Sequence, residues 1–172
     1  IEKLKYFLEN IGVLNKIEFD IEEVGQPLPF RWGKCKLATS SFGHGITTTP
    51  LQLAKGYAII SNGGYDIKPT LIKKNNSQKI IKNKILNDGV SDAINPILRK
   101  VVSTKEGTAQ FANIKGYQVG GKTGTAQKTK AGEYSKSKVN TFASIFPTSK
   151  PKYVLVVLLD EPKPNKEYIY SY

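Results

Sequence analysis

The sequence predicts an α+β domain, an antiparallel sheet with helices packed on it, and three observations carry that expectation. Apolar residues recur at helical spacing in three segments up to Val102, and the period changes to two from Tyr117 onward. Between Tyr153 and Leu159 every position is apolar, the pattern of a strand buried on both faces. Helices first and successive strands afterwards, with only polar connections between those strands, favour an antiparallel meander over a parallel sheet.

Leu4, Leu8 and Ile11 share one helical face, and Gly12 closes the helix. Residues 13–48 are rich in Gly, Pro, Ser and Thr and read as an irregular segment. Thr49-Pro50 is a helix start, with the threonine as N-cap and proline in the first turn. Leu51, Ala54 and Ala58, flanked by Leu53, Tyr57 and Ile60, form a wide apolar face, and Asn62-Gly63-Gly64 ends the helix. A short strand is expected from Tyr65 to Ile72, then a Lys/Asn-rich excursion over Lys73–Lys84 that reads as a solvated hairpin or loop. Ser91 is expected to cap a third helix whose apolar face is Ile94, Ile97, Leu98, Val101 and Val102. Strands are then predicted at Tyr117 to Gln127, Val139 to Phe146 and Lys152 to Asp160.

Composition narrows the chemistry. With 172 residues the chain can bury a core of its own, and 39% hydrophobic content speaks for a globular domain. Its 26 Lys+Arg against 14 Asp+Glu give a net charge of +12. Arg31 and Arg99 are the only arginines and the lysines are scattered, unlike the clustered basic stripes of nucleic-acid readers. No nucleic-acid partner is expected; a general attraction to anionic surfaces such as membranes or wall polymers fits better. Cys35 and His44 are each alone, so neither an internal disulfide nor a Cys/His metal site is expected, and no cofactor is implied. No apolar run reaches the roughly 20 residues that span a bilayer. The sequence has no methionine, and Ile1 falls inside a helical pattern, so a piece of a longer protein is expected.

The chemistry concentrates in Gly120-Gly121-Lys122-Thr123-Gly124-Thr125-Ala126-Gln127, which places one ammonium, two hydroxyls and three glycines in eight residues. Residues 116–123 satisfy the G-x-x-x-x-G-K-[ST] phosphate loop, a mechanism that needs a helix starting at the Lys-Thr pair. Gly124, Thr125 and Gly132 are poor helix material, which argues against nucleotide binding. The alternative is a Lys-Thr-Gly strand bordering an acyl-transfer site. There, Gly124 lets substrate lie alongside as an added strand, hydroxyls grip a carboxylate and Lys122 biases the field. Alternation puts Thr123 and Thr125 on one face and sends Lys122 to the other.

The order of several short motifs adds a resemblance. Ser41-Phe42-Gly43-His44-Gly45 precedes Thr49-Pro50-Leu51-Gln52-Leu53-Ala54; Glu106-Gly107-Thr108-Ala109, Gly121-Lys122-Thr123-Gly124-Thr125-Ala126 and Asp160-Glu161-Pro162-Lys163 follow. In this order and spacing they resemble the later part of the transpeptidase domain of class B penicillin-binding proteins, nearest to the division-type peptidoglycan D,D-transpeptidase. The resemblance implies a partial serine β-lactamase-like domain over residues 1–172. The part bearing the nucleophile would precede Ile1 and a terminal helix would follow Tyr172. No S-x-x-K or S-x-N stands ahead of Lys122, so no nucleophile is expected in this chain and the fragment alone is expected to be inactive. Ser135-Lys136-Ser137-Lys138 spells S-x-x-K but reads as a charged turn, and Ser61-Asn62-Gly63 as a helix terminus.

By the same resemblance Lys122 would support proton transfer and stabilise charge. The Thr125 hydroxyl would bind the substrate carboxylate and its N–H would serve an oxyanion hole, with Thr123 assisting and Gly124 permitting close docking. Implied ligands are the D-alanyl-D-alanine stem peptide and β-lactams. The resemblance also implies a parent anchored in the bacterial inner membrane with this domain on the outer face, and division-complex proteins as partners. A β-lactam sensor, a D,D-carboxypeptidase or a non-enzymatic basic binding module are the other classes in view. His44 reads as a loop-packing residue and Cys35 as an inert thiol.

Overall fold

The computed structural model describes residues 2–21, 25, 32–73, 83–130 and 133–163. Its elements run α1 (Glu2–Asn10), α2 (Lys34–Ser41), α3 (Pro50–Ser61), α4 (Val90–Ser103), a short 3-10 turn (Gln110–Ala112), and then β1 (Gly120–Lys130), β2 (Glu133–Phe146) and β3 (Tyr153–Asp160). The chain divides into two compact units, residues 1–94 and 95–172, with the boundary inside α4. The α+β expectation holds: helices precede a three-stranded antiparallel sheet of order β1-β2-β3.

In the first unit, α1 is closed by Gly12, which adopts φ +81 and donates its N–H to Glu9 O at 3.0 Å. The Thr49 start of α3 is a full capping box. Gln52 N–H donates to Thr49 Oγ1 (3.2 Å), and Thr49 N–H donates to Gln52 Oε1 (2.7 Å). The buried stripe of α3 is not the expected Leu51/Ala54/Ala58 face but Gln52, Gly56 and Ile59. Gln52 is buried at no cost in lost hydrogen bonds, because its Nε2 also donates to Asn15 O at 2.7 Å.

Other expectations for this unit are corrected. Residues 13–48 are not irregular throughout, since α2 forms within them. From Tyr65 to Ile72 there is one isolated bridge, Tyr65 to Lys84, instead of a strand. Pro69 has no N–H to give a ladder, and the Asp20 carboxylate takes the Leu71 N–H and the Thr70 hydroxyl. Ser91 does not cap α4: Gly89 O accepts the Ala93 N–H, and Ser91 lies inside the helix, buried. Its hydroxyl instead donates to Ile60 O and accepts from Gly63 N–H, closing the end of α3. Most of the Lys73–Lys84 excursion lies outside the described residues. His44 sits half-buried with its ring centroid 5.4 Å from that of Phe42, and Cys35 is exposed on α2.

In the second unit, Val102, Ala109 and Val119 form the buried cluster, with Val101, Ala112, Phe142 and Phe146 packed against it. Strand β1 begins later than expected. Tyr117 N–H donates to Ile114 O and Val119 N–H to Tyr117 O (2.8 Å), so residues 114–119 are tight turns. Ser135–Lys138 lies in β2, not in a turn. The largest correction concerns β3: Tyr153, Leu155, Val157 and Leu159 on one face are 60%, 48%, 42% and 54% exposed. An apolar run records what a strand needs covered, and no described element covers this face.

Candidate active-site strand

The site is built on β1, whose start is fixed by close packing. A Cβ at Gly120 would stand 2.4 Å from Thr148 Cγ2 and 2.9 Å from the Arg99 backbone nitrogen. One at Gly121 would stand 2.5 Å from Ala143 O. Only glycine admits the neighbouring backbone this closely. The entry to the strand is also held by Arg99, whose Nη1 donates to Val119 O (2.7 Å) and Nη2 to Asn113 Oδ1 (2.9 Å).

Register then decides which way the site faces. Lys152 N–H donates to Phe146 O (3.2 Å) and Glu161 N–H to Lys138 O (2.9 Å), so even-numbered residues of β2 turn their amides toward β3. The odd-numbered residues Val139, Thr141, Ala143 and Ile145 bond β1 at Ala126, Gly124, Lys122 and Gly120. Thr123 and Thr125 are therefore left with N–H and C=O directed outward, along an edge that no described strand pairs. Gly124 lies between them in a strand conformation, and a Cβ there would meet nothing within 4 Å.

The side chains converge on that edge. Alternation sends Lys122 to the opposite face from the threonines, yet its Nζ curls back to donate to Thr123 O at 2.8 Å. The ammonium thus sits at the edge itself, which pleating alone does not reveal. Thr123 Oγ1 lies 2.8 Å from Thr108 Oγ1. Thr125 is exposed and stands opposite Asn140, a residue only 7% exposed. Among the described residues Asn140 Oδ1 has no hydrogen-bond partner. Beyond Gln127 the register shifts, and Lys128 binds Asp160 (3.0 Å) and Glu161 (2.9 Å) across the end of the sheet. Hydrogen bonding to Glu161 and then to Asp160 raises the Lys128 pKa from its ordinary value.

The four residues expected from sequence, Lys122, Thr123, Gly124 and Thr125, are consecutive, so their proximity is no test. The informative features are the strand conformation, the open edge and the position of the ammonium. A phosphate loop would need a helix beginning at Lys122; an extended strand runs there instead. Sequence reasoning missed Thr108 and Arg99. The first sits in a motif noticed only as a helix end, and no periodicity signals a contact across a turn.

This geometry defines a class, an α+β domain presenting a glycine-opened edge strand with an ammonium and two hydroxyls. A family model described as the penicillin binding protein transpeptidase domain matches residues 1–171, and the chain belongs to that family. Among curated relatives, it is 33% identical to the probable peptidoglycan D,D-transpeptidase FtsI of Caulobacter vibrioides, over 95% of this chain and 29% of that protein. It is 32% identical to stage V sporulation protein D of Bacillus subtilis, over 94% of this chain and 27% of that protein. Among solved structures, the transpeptidase domain of Burkholderia pseudomallei penicillin-binding protein 3 superposes with a TM-score of 0.86 at 27% identity. That match covers 94% of this chain and 50% of that one. Penicillin-binding protein 3 of Mycobacterium tuberculosis, solved with ampicillin, gives 0.81 at 26% identity, covering 95% of this chain and 40% of that one. The chain thus spans under a third of the length of these curated relatives.

Proposed function

We propose that this chain supplies the substrate-binding strand of a peptidoglycan D,D-transpeptidase that also binds β-lactams, with the nucleophilic serine contributed from outside residues 1–172. The observation that carries the reading is the edge of β1 that no described strand pairs, where Thr123 and Thr125 face outward on either side of Gly124. Such an edge can take an extended peptide as an added strand while hydroxyls hold its terminal carboxylate.

In the proposed reaction the serine oxygen attacks the carbonyl carbon of the penultimate D-alanine and gives up its proton to a base. The Thr125 N–H and a second donor stabilise the oxyanion; loss of one such donor in a serine protease costs about 3–4 kcal/mol. The C–N bond breaks, and terminal D-alanine leaves as its amine after taking a proton. An amine of a neighbouring stem peptide then attacks the ester, loses a proton and restores the serine. A β-lactam would follow the first half only, its opened ring staying attached. Lys122 would place its charge beside the carboxylate and the proton path. The protein would work at the outer face of the bacterial inner membrane, anchored by polypeptide outside this chain and among division proteins.

The test is to incubate the full-length protein with labelled penicillin and, separately, with stem peptides. A stoichiometric covalent adduct, released D-alanine and a crosslinked peptide are expected. Absence of an adduct would sink the reading, and release of D-alanine with water as the sole acceptor would make the protein a carboxypeptidase. On residues 1–172 alone no adduct is expected.

A further inference from the structure

We infer that Thr108 is a positioning residue for the Thr123 hydroxyl, an assignment that rests on the carboxylate-binding reading of the β1 edge. Their oxygens are 2.8 Å apart, which requires one of the two hydroxyl protons to lie between them. A carboxylate accepts hydrogen bonds and cannot donate. For Thr123 to turn its own proton to such a ligand, the bridging proton must belong to Thr108. The result is a chain, Thr108 O–H to Thr123 Oγ1 and Thr123 O–H to the ligand, in which each bond polarises the next. Among the described residues Thr108 is the side chain that hydrogen-bonds Thr123 Oγ1, so its loss leaves the Thr123 proton unoriented by the protein.

The turn that delivers Thr108 is built closely enough for this task. Ala109 N–H donates back to Val101 O (3.2 Å) and Gly107 N–H to Thr104 O (3.2 Å). A Cβ at Gly107 would stand 2.1 Å from Val101 O, so the turn is pressed against the end of α4 with no room for a side chain. Ala109 is itself buried in the core cluster with Val102 and Val119. Thr108 lies between these two anchors, and its side chain is left exposed at the β1 edge. A merely structural hydroxyl would be expected to bond a backbone group of its own turn; this one reaches a residue fifteen positions away.

The experiment is penicillin acylation of the full-length protein, resolved into the dissociation constant of the initial complex and the acylation rate constant at saturation. For Thr108→Val the dissociation constant should rise about five- to tenfold, the loss of one hydrogen bond, with the saturating rate within about twofold of wild type. Thr108→Ser should restore wild-type binding. In a Thr123→Val background, Thr108→Val should have no further effect, since its hydroxyl acts only through Thr123. Should the valine variant unfold, Thr108→Ala carries the same test, as it adds no atom to the turn. Wild-type binding by Thr108→Val overturns the inference alone, and so does an equal penalty in the Thr123→Val background. If wild type itself forms no adduct, the underlying reading fails and this inference with it.

Discussion

At Gly120 an added side-chain carbon would stand 2.4 Å from Thr148, whereas at Gly124, in the same strand, it would meet nothing within 4 Å. Gly120 and Gly121 are small because protein atoms already occupy the space beside them. Gly124 has no such reason: its φ lies outside the left-handed region and no neighbour needs the room. A glycine in a strand costs stability and packs nothing, and on the proposed reading this open one leaves room for a ligand to approach. The contrast divides β1 into a half that the fold specifies and a half that a ligand would.

Substitutions along the strand should separate the two halves. The largest effect is expected for Lys122→Ala, whose removal takes away the charge at the edge. Penicillin acylation should fall about 10²–10³-fold, with the melting temperature unchanged because the side chain is exposed. Thr125→Val keeps the backbone N–H and removes one charge-assisted hydrogen bond. A loss of about 1.5–3 kcal/mol in transition-state binding is expected, read from kcat/KM or its acylation equivalent. Gly121→Ala should act on the other half, destabilising the fold by about 1–3 kcal/mol in chemical denaturation. The surviving folded molecules should acylate at the normal rate. Gly124→Ala should reverse that signature, leaving stability unchanged or raised by up to about 1 kcal/mol while slowing acylation. If Gly121→Ala and Gly124→Ala behave alike in both assays, the division of the strand is wrong.

Much of this was legible in the sequence. The Thr49 cap, the Gly12 and Asn62-Gly63-Gly64 stops and the three-strand meander follow from local rules that the structure obeys. Ser91 misled because a hydroxyl near a helix start looks like a cap, whereas its partners, Ile60 and Gly63, lie at the end of another helix. The Tyr65–Ile72 strand failed because the Asp20 carboxylate, about fifty residues earlier, claims its backbone. At the site, residue types and alternation gave the threonines their shared face. The curl of Lys122 and the approach of Thr108 depend on tertiary placement, which no periodicity encodes. The exposed apolar face of β3 teaches the converse: pattern states a demand for burial, not the identity of what meets it.

The decisive measurement is a crystal structure of the full-length protein acylated by penicillin. The carboxylate of the opened lactam should lie about 2.7–3.2 Å from the Thr123 or Thr125 hydroxyl, with the ester carbonyl oxygen against the Thr125 N–H. A carboxylate held elsewhere, or a β1 edge occupied by another strand of the protein, would contradict it.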